Sequence, residues 1–236
     1  MEREVIVLAG GFGKRLLEVV PDLPKCLAPI NGIPFLDYLF KYLQKYGVGR
    51  FILSLGYKSD YIISYVNEFY SNMDVTFVIE DSPLGTGGAI KAALKEAKNR
   101  DVLVVNGDTF FNINLNVFYS EALSSQYPFA IALQRIEKNY RYGFVELDEK
   151  NEIIRFCEKH ESNNVFINTG FYIINKEQVN FDTNKDVFSL EKDFFESDLR
   201  ETKLYGIEFN NEFIDIGIPK DFNRAQTLFQ QLNFKS

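Results

Sequence analysis

Cysteine and histidine are nearly absent from this chain. Its two cysteines, Cys26 and Cys157, are too few for a disulfide scaffold or a cysteine-rich zinc site. A single histidine, His160, all but excludes a histidine-ligated metal centre or a Ser-His-Asp triad. No basic block offsets the net charge of −7, so a nucleic-acid surface is disfavoured. The first residues enter a strand with no signal-peptide pattern, and no apolar run approaches a membrane span. A cytoplasmic chain without a membrane partner is the expectation. Linkers rich in Pro, Gly or Ser, internal repeats and low-complexity tracts are missing too, so the 236 residues read as one domain, 1–236. At 46% hydrophobic residues the chain has enough apolar material for one substantial core.

What is present begins at once. Val5-Ile6-Val7-Leu8 reads as a short strand buried on both faces, and Ala9 leads into Gly10, Gly11 and Gly13. A backbone without Cβ atoms can turn tightly and press its N–H groups against a phosphate chain. Lys14 and Arg15 follow directly, and Pro24 holds Lys25 a short way on. The arrangement suits a polyphosphate. It is not a dinucleotide fingerprint, because Leu16 stands where the third glycine belongs and no acidic residue about 20 positions later clearly ends a second strand. An NAD-linked oxidoreductase therefore lacks its signature. Nor is it a Walker A loop, since Gly13-Lys14 is followed by Arg15 and not by Ser or Thr.

The rest of the first half alternates. Phe35, Leu36, Leu39, Phe40 and Leu43 lie at helical spacing up to Tyr46, Phe51–Leu55 reads as a strand, Asp60–Phe69 as a helix and Val75–Ile79 as a strand. Such βαβαβ order predicts a parallel sheet with right-handed crossovers and ligands at the strand carboxyl ends. Glu80 follows the third strand, then a turn with Pro83, Gly85, Thr86, Gly87 and Gly88, then an Ala-rich helix over Ala89–Ala97. Strand Val102–Val105 ends in Asn106-Gly107-Asp108. From Phe129 the pattern changes to hairpins, with strands at Ala130–Leu133, Phe144–Leu147, Ile153–Phe156 and Phe171–Ile174. Phe181–Leu199 reads as partly helical, and Asp221–Leu232 as a closing helix. The fold class expected is a single Rossmann-like three-layer α/β/α domain with a largely parallel mixed sheet.

These stretches resemble, in order, the motifs of the sugar-1-phosphate nucleotidyltransferases, or nucleotide-sugar pyrophosphorylases. Leu8 to Leu16 matches the family's L-A-G-G-x-G-x-R-L, with Pro24-Lys25 behind it and Glu80 to Ala89 as its E-x-x-P-L-G-T-G-G-A element. Gly107-Asp108, Tyr142-Gly143, Glu158-Lys159, Asn168-Thr169-Gly170 and Asp215-Ile216-Gly217-Ile218-Pro219 complete the set, from Val5 to about Phe222. Cys26 departs from the proline often found there.

The resemblance implies transfer of a nucleotidyl group from a nucleoside triphosphate to a sugar 1-phosphate. Arg15, Lys25 and Asp108 would be catalytic. Leu8, Ala9, Gly10, Gly11, Gly13, Arg15, Lys25, Glu80, Pro83, Gly85, Thr86, Asn106 and Gly107 would bind the nucleotide. Gly143, Glu158, Lys159, Asn168 and Thr169 would bind the sugar phosphate, and Asp108 with Asp215 would hold Mg²⁺. Glu80, where uridylyl and thymidylyl relatives commonly carry Gln, favours GTP, because a carboxylate only accepts hydrogen bonds and guanine offers two adjacent donors. The short chain with Pro83-Leu84-Gly85-Thr86-Gly87-Gly88-Ala89-Ile90 looks most like the heptose 1-phosphate guanylyltransferase branch. Mannose-1-phosphate guanylyltransferases, and uridylyl-, thymidylyl- or cytidylyltransferases, are the alternatives. A nucleotide-sugar-binding regulatory subunit is the non-enzyme alternative, though it would be expected to have lost Arg15, Lys25 or the Asp pair. A homo-oligomer is compatible with the resemblance.

Overall fold

The computed structural model describes residues 2–13, 15–16, 18–157, 161–181, 185–196 and 202–232. The chain opens with β1 (Arg3–Leu8) and forms a small hairpin, β2 (Pro29–Ile30) and β3 (Ile33–Pro34), before helix α1 (Phe35–Lys45). β4 (Val48–Leu55), α2 (Ser59–Phe69), β5 (Asp74–Ile79), α3 (Gly85–Leu94) and β6 (Asp101–Asn106) carry on the alternation. β7 (Thr109–Phe111), α4 (Leu115–Ser125), β8 (Phe129–Asn139), β9 (Phe144–Leu147), β10 (Ile153–Cys157) and β11 (Ser162–Asn175) follow. A π-helical turn at Leu190–Phe195, β12 (Leu204–Glu208), β13 (Phe213–Asp215) and α5 (Pro219–Gln231) complete it. No helix among the described residues is long and apolar enough to cross a membrane.

One nine-stranded sheet runs β10-β9-β11-β6-β1-β4-β5, with β8 paired to β11 and β12 to β8. β6, β1, β4 and β5 are mutually parallel, while β11 is antiparallel to β6, β8 and β9. The mixed sheet follows from the sequence. Short apolar strands separated by amphipathic helices must cross over, whereas the polar, turn-rich second half returns by hairpins. Successive side chains on a strand alternate faces. Val5 and Val7 accordingly pack with α1, α2, α4 and α5, and Ile6 with α3 and the π-helical turn, giving helix, sheet and helix layers. Aromatic rings fill much of the first layer, where Phe110 meets Tyr42 and Phe229, each with ring centroids 5.0 Å apart.

Four stretches differ from expectation. Helix α3 starts at Gly85 and not Ala89, and ends at Leu94 and not Ala97. Its early start has a tertiary cause: the Phe188 carbonyl accepts the N–H groups of both Gly87 and Gly88, and the Phe188 N–H returns to the Leu84 carbonyl. A partner so distant in sequence supplies the cap that no local residue provides. β8 and β11 extend well beyond Ala130–Leu133 and Phe171–Ile174, because they pair with one another from Asn139↔Ser162 to Phe129↔Ile174. Backbone pairing carries a strand through polar residues that show no apolar alternation. Within Phe181–Leu199 the described residues are helical only at Leu190–Phe195.

Glu4 anchors the start of the central strand. It is 3% exposed; its Oε1 accepts from Arg50 Nη1 at 2.7 Å and its Oε2 accepts the Lys98 and Asn99 N–H groups. Burial pushes the Glu4 carboxyl up, but the Asn99 N–H, the Arg50 guanidinium and the Lys98 N–H outweigh it and hold it below its ordinary value. A lowered acid adds stability above its unfolded pKa, and that stability is lost as pH falls through the folded pKa. Glu4→Gln removes the nearer of the two carboxylates that meet Arg50, Asp74 remaining at 3.4 Å, and should cost about 1–3 kcal/mol at neutral pH. Urea unfolding of both proteins across pH should show the gap narrowing as the wild-type carboxyl protonates.

Candidate active site

Going from β1 the chain moves to β4 and β5 on one side of the sheet, then to β6 on the other, so the switch point lies at the carboxyl ends of β1 and β6. Loops leaving two strands in opposite directions open a crevice there. The Ala9 N–H donates to the Ser54 carbonyl and the Gly107 N–H to the Leu8 carbonyl, both at 2.8 Å, which pins both loops onto the sheet. Between them is a cleft of about 340 Å³. Leu8, Ala9, Gly10, Gly11, Lys25, Glu80, Pro83, Gly85, Thr86, Asn106, Gly107 and Asp108 line it, joined by Phe12, Cys26, Ser54 and Ala89. Of the residues expected at the nucleotide, only Gly13 and Arg15 are not on its wall. Arg15 is exposed on the same loop, and Lys14 lies outside the described residues.

Gly13 has its own reason. Its φ of +63° is left-handed, and a Cβ there would sit 2.6 Å from Lys25 Cγ. The bare backbone lets the Lys25 stem lie across the loop. From there Lys25 Nζ reaches Asp108 Oδ2 at 2.7 Å. Glu80 hydrogen-bonds through its N–H to the Leu55 carbonyl, and its Oε2 accepts the Leu84 N–H at 3.0 Å. Its other oxygen faces Gly10, where an added Cβ would come within 3.0 Å. Cys26 is fully buried beneath the loop, and burial with the Asp108 charge pushes its thiol up to about 12. It stays protonated, a small hydrophobe as expected.

Asp108 and Asp215, far apart in sequence, are brought together by a backbone ladder. β7 and β13 pair antiparallel with Asp215 opposite Thr109, and the Ile216 N–H donates to the Asp108 carbonyl at 3.0 Å. Burial, and then the Asp108 charge, push the Asp215 carboxyl up, while Arg141 acts against them. Asp215 Oδ1 accepts the Gly217 N–H at 2.7 Å and Oδ2 meets Arg141 Nη2 at 2.5 Å. Arg141 also pairs with Asp221 at the start of α5. The described residues contain no group of three or more His, Cys, Asp or Glu that could hold a metal. Two carboxylates nevertheless fit Mg²⁺, which takes one or two from the protein and completes its shell with phosphate oxygens and water. Their mutual repulsion is the field that a divalent cation relieves. Sequence reasoning missed Arg141. The only signal was a cation directly before Tyr142-Gly143, and a buried arginine cannot be told from a solvated one by residue type.

The acceptor motifs also meet. The Asn168 N–H donates to the Gly143 carbonyl at 3.1 Å, and the β8–β11 register shifts between Asn168 and Tyr172. Gly170 makes that bulge, with φ of +77° and a Cα so close to Asn106 that a Cβ would overlap its amide. The side chains of Asn168 and Thr169, expected to bind the sugar phosphate, are turned into the fold. Asn168 Oδ1 accepts the Gly170 N–H, its Nδ2 donates to the Tyr172 hydroxyl and Glu191, and the Thr169 hydroxyl donates to the Ala132 carbonyl. An interrupted ladder leaves polar groups that these side chains satisfy. Glu158 and Lys159 lie outside the described residues.

Residues 4–231 match the family described as nucleotidyl transferase. The chain is 40% identical over 227 residues to a D-glycero-alpha-D-manno-heptose 1-phosphate guanylyltransferase from Aneurinibacillus thermoaerophilus, covering 96% of this chain and 98% of that protein. It is 38% identical over 219 residues to the protein of the same description from Campylobacter jejuni, covering 93% and 96%. Among solved structures, HddC from Yersinia pseudotuberculosis complexed with GMP-PN superposes with a TM-score of 0.84 at 38% identity, covering 96% of this chain and 99% of that one.

Proposed function

The chain belongs to the nucleotidyl transferase family, and from that premise we propose that it transfers a guanylyl group from GTP to D-glycero-α-D-manno-heptose 1-phosphate, releasing pyrophosphate. The observation that carries this reading is the convergence of the glycine loop, the Lys25–Asp108 pair and Glu80 on one cleft at the sheet's switch point. That residues 1–236 act as one nucleotidyltransferase domain is part of the same proposal.

The chemistry needs positioning and charge more than any covalent help. A sugar phosphate oxygen attacks the α-phosphorus in line. The new P–O bond forms as the bond to the β-phosphate bridging oxygen breaks, and pyrophosphate leaves with that electron pair. The amides of Gly10 to Gly13 and the Arg15 guanidinium hold the triphosphate. Lys25, released from Asp108, neutralises charge building around the α-phosphate. Asp108 and Asp215 would hold Mg²⁺, which would supply further neutralisation of the triphosphate when bound. Tyr142-Gly143 and the bulge at Asn168 and Thr169 shape the acceptor wall, and the resemblance assigns Glu158 and Lys159, outside the described residues, to the sugar phosphate.

Following GTP, the heptose 1-phosphate and Mg²⁺ by ³¹P NMR should show paired growth of diphosphate-sugar and pyrophosphate signals. No product would overturn the reading. Faster turnover of mannose 1-phosphate would overturn only the choice of sugar, since the two differ by a carbon beyond C6.

A further inference from the structure

Ser54 lines the nucleotide cleft, yet nothing above gives its side chain a role. It is 1% exposed, and its hydroxyl has no hydrogen-bond partner among the described residues, although its carbonyl accepts the Ala9 N–H. A buried hydroxyl left without a partner is a standing cost that alanine would avoid. Its neighbours say what could satisfy it. In register, Ser54 stands opposite Leu8 on β1 and Val78 on β5, the strands that deliver the glycine loop and Glu80. Glu80 lies just past the end of β5, two residues beyond Val78 and so on the same face as Ser54, which stands within the sheet; a ring lying over Glu80 in the cleft meets the carboxylate first and the hydroxyl deeper in.

We propose that Ser54 is a specificity-determining residue that donates its hydroxyl hydrogen to O6 of the guanine ring. The proposal rests on the guanylyl reading and deepens it. Guanine presents an acceptor at O6 beside donors at N1 and the 2-amino group. The Glu80 carboxylate accepts from both donors but can offer O6 nothing, whereas a hydroxyl donates. Adenine, with an amino donor at position 6 and no hydrogen on N1, is mismatched at Glu80, whereas the Ser54 hydroxyl can turn to accept from that amino group, so Ser54 adds to guanine binding and Glu80 rejects adenine. Ser54 and Glu80 together read the whole edge.

The test compares GTP with 6-thio-GTP, whose sulfur accepts hydrogen bonds weakly, in wild type and Ser54→Ala with the heptose 1-phosphate. Wild type should prefer GTP. Ser54→Ala should lower kcat/KM for GTP about tenfold and leave 6-thio-GTP nearly unchanged, so that the preference collapses. The thermal midpoint of the free Ser54→Ala protein should equal or exceed that of wild type, and Ser54→Cys, a weak donor of similar shape, should fall between. Equal losses for both nucleotides, or an unchanged GTP rate, would overturn the role of Ser54 alone. A wild type that uses UTP and not GTP would overturn both this role and the guanylyl reading.

Discussion

Asp108→Asn should abolish guanylyl transfer at saturating Mg²⁺ while leaving the fold intact. The loss should be about a thousandfold or more in kcat, because three functions fail together. In the proposed site one of the two carboxylates that would hold Mg²⁺ is neutralised, so the triphosphate would lose charge that fixes its α-phosphate. Asp215, whose carboxyl burial pushes up, would be left as the only other carboxylate for the ion. Lys25, held 2.7 Å from Asp108 Oδ2, loses the partner that parks it beside the glycine loop. The fold should tolerate the change, since Asp108 is half-buried and the hydrogen bond that ties β13 to it uses its carbonyl. Thermal midpoint and turnover measured on the same sample separate the two. Activity close to wild type would mean that Asp108 is not in the metal site.

Much of the frame was legible because it rests on period and punctuation. β1, α1, β4, α2, β5 and β6 announce themselves by buried β-branched runs and helical spacing. The cleft was legible through the resemblance, which implied one site for the glycine loop and Asp108; that β1 and β6 are neighbours comes from the sheet order. What stayed hidden depends on distant partners. The start of α3 is set by the carbonyl of Phe188, the length of β11 by β8, and the meeting of Asp108 with Asp215 by the β7–β13 ladder. Ser54 carries no sequence signal and Arg141 only its place before Tyr142-Gly143, since their importance lies in burial and in what they do or do not touch. Asn168 and Thr169 sit in a recognisable motif, yet the bulge at Gly170 turns their side chains inward.

The central claim is that this cleft takes GTP because Glu80 reads the base. Glu80 Oε1 faces the glycine loop and Oε2 is steadied by the Leu84 N–H. A carboxylate matches guanine's paired donors but sets its charge against the carbonyl oxygens of uracil or thymine. Unpaired polar groups in such a pocket cost about 1–3 kcal/mol each. Two of them give discrimination of roughly a hundredfold or more. The most direct measurement is kcat/KM for GTP, CTP, UTP, dTTP and ATP, each with saturating heptose 1-phosphate and Mg²⁺, in wild type and Glu80→Gln. The account predicts GTP ahead of every other nucleotide by about two orders of magnitude, with most of that lead lost in Glu80→Gln. Preference for UTP or dTTP in the wild type would contradict it.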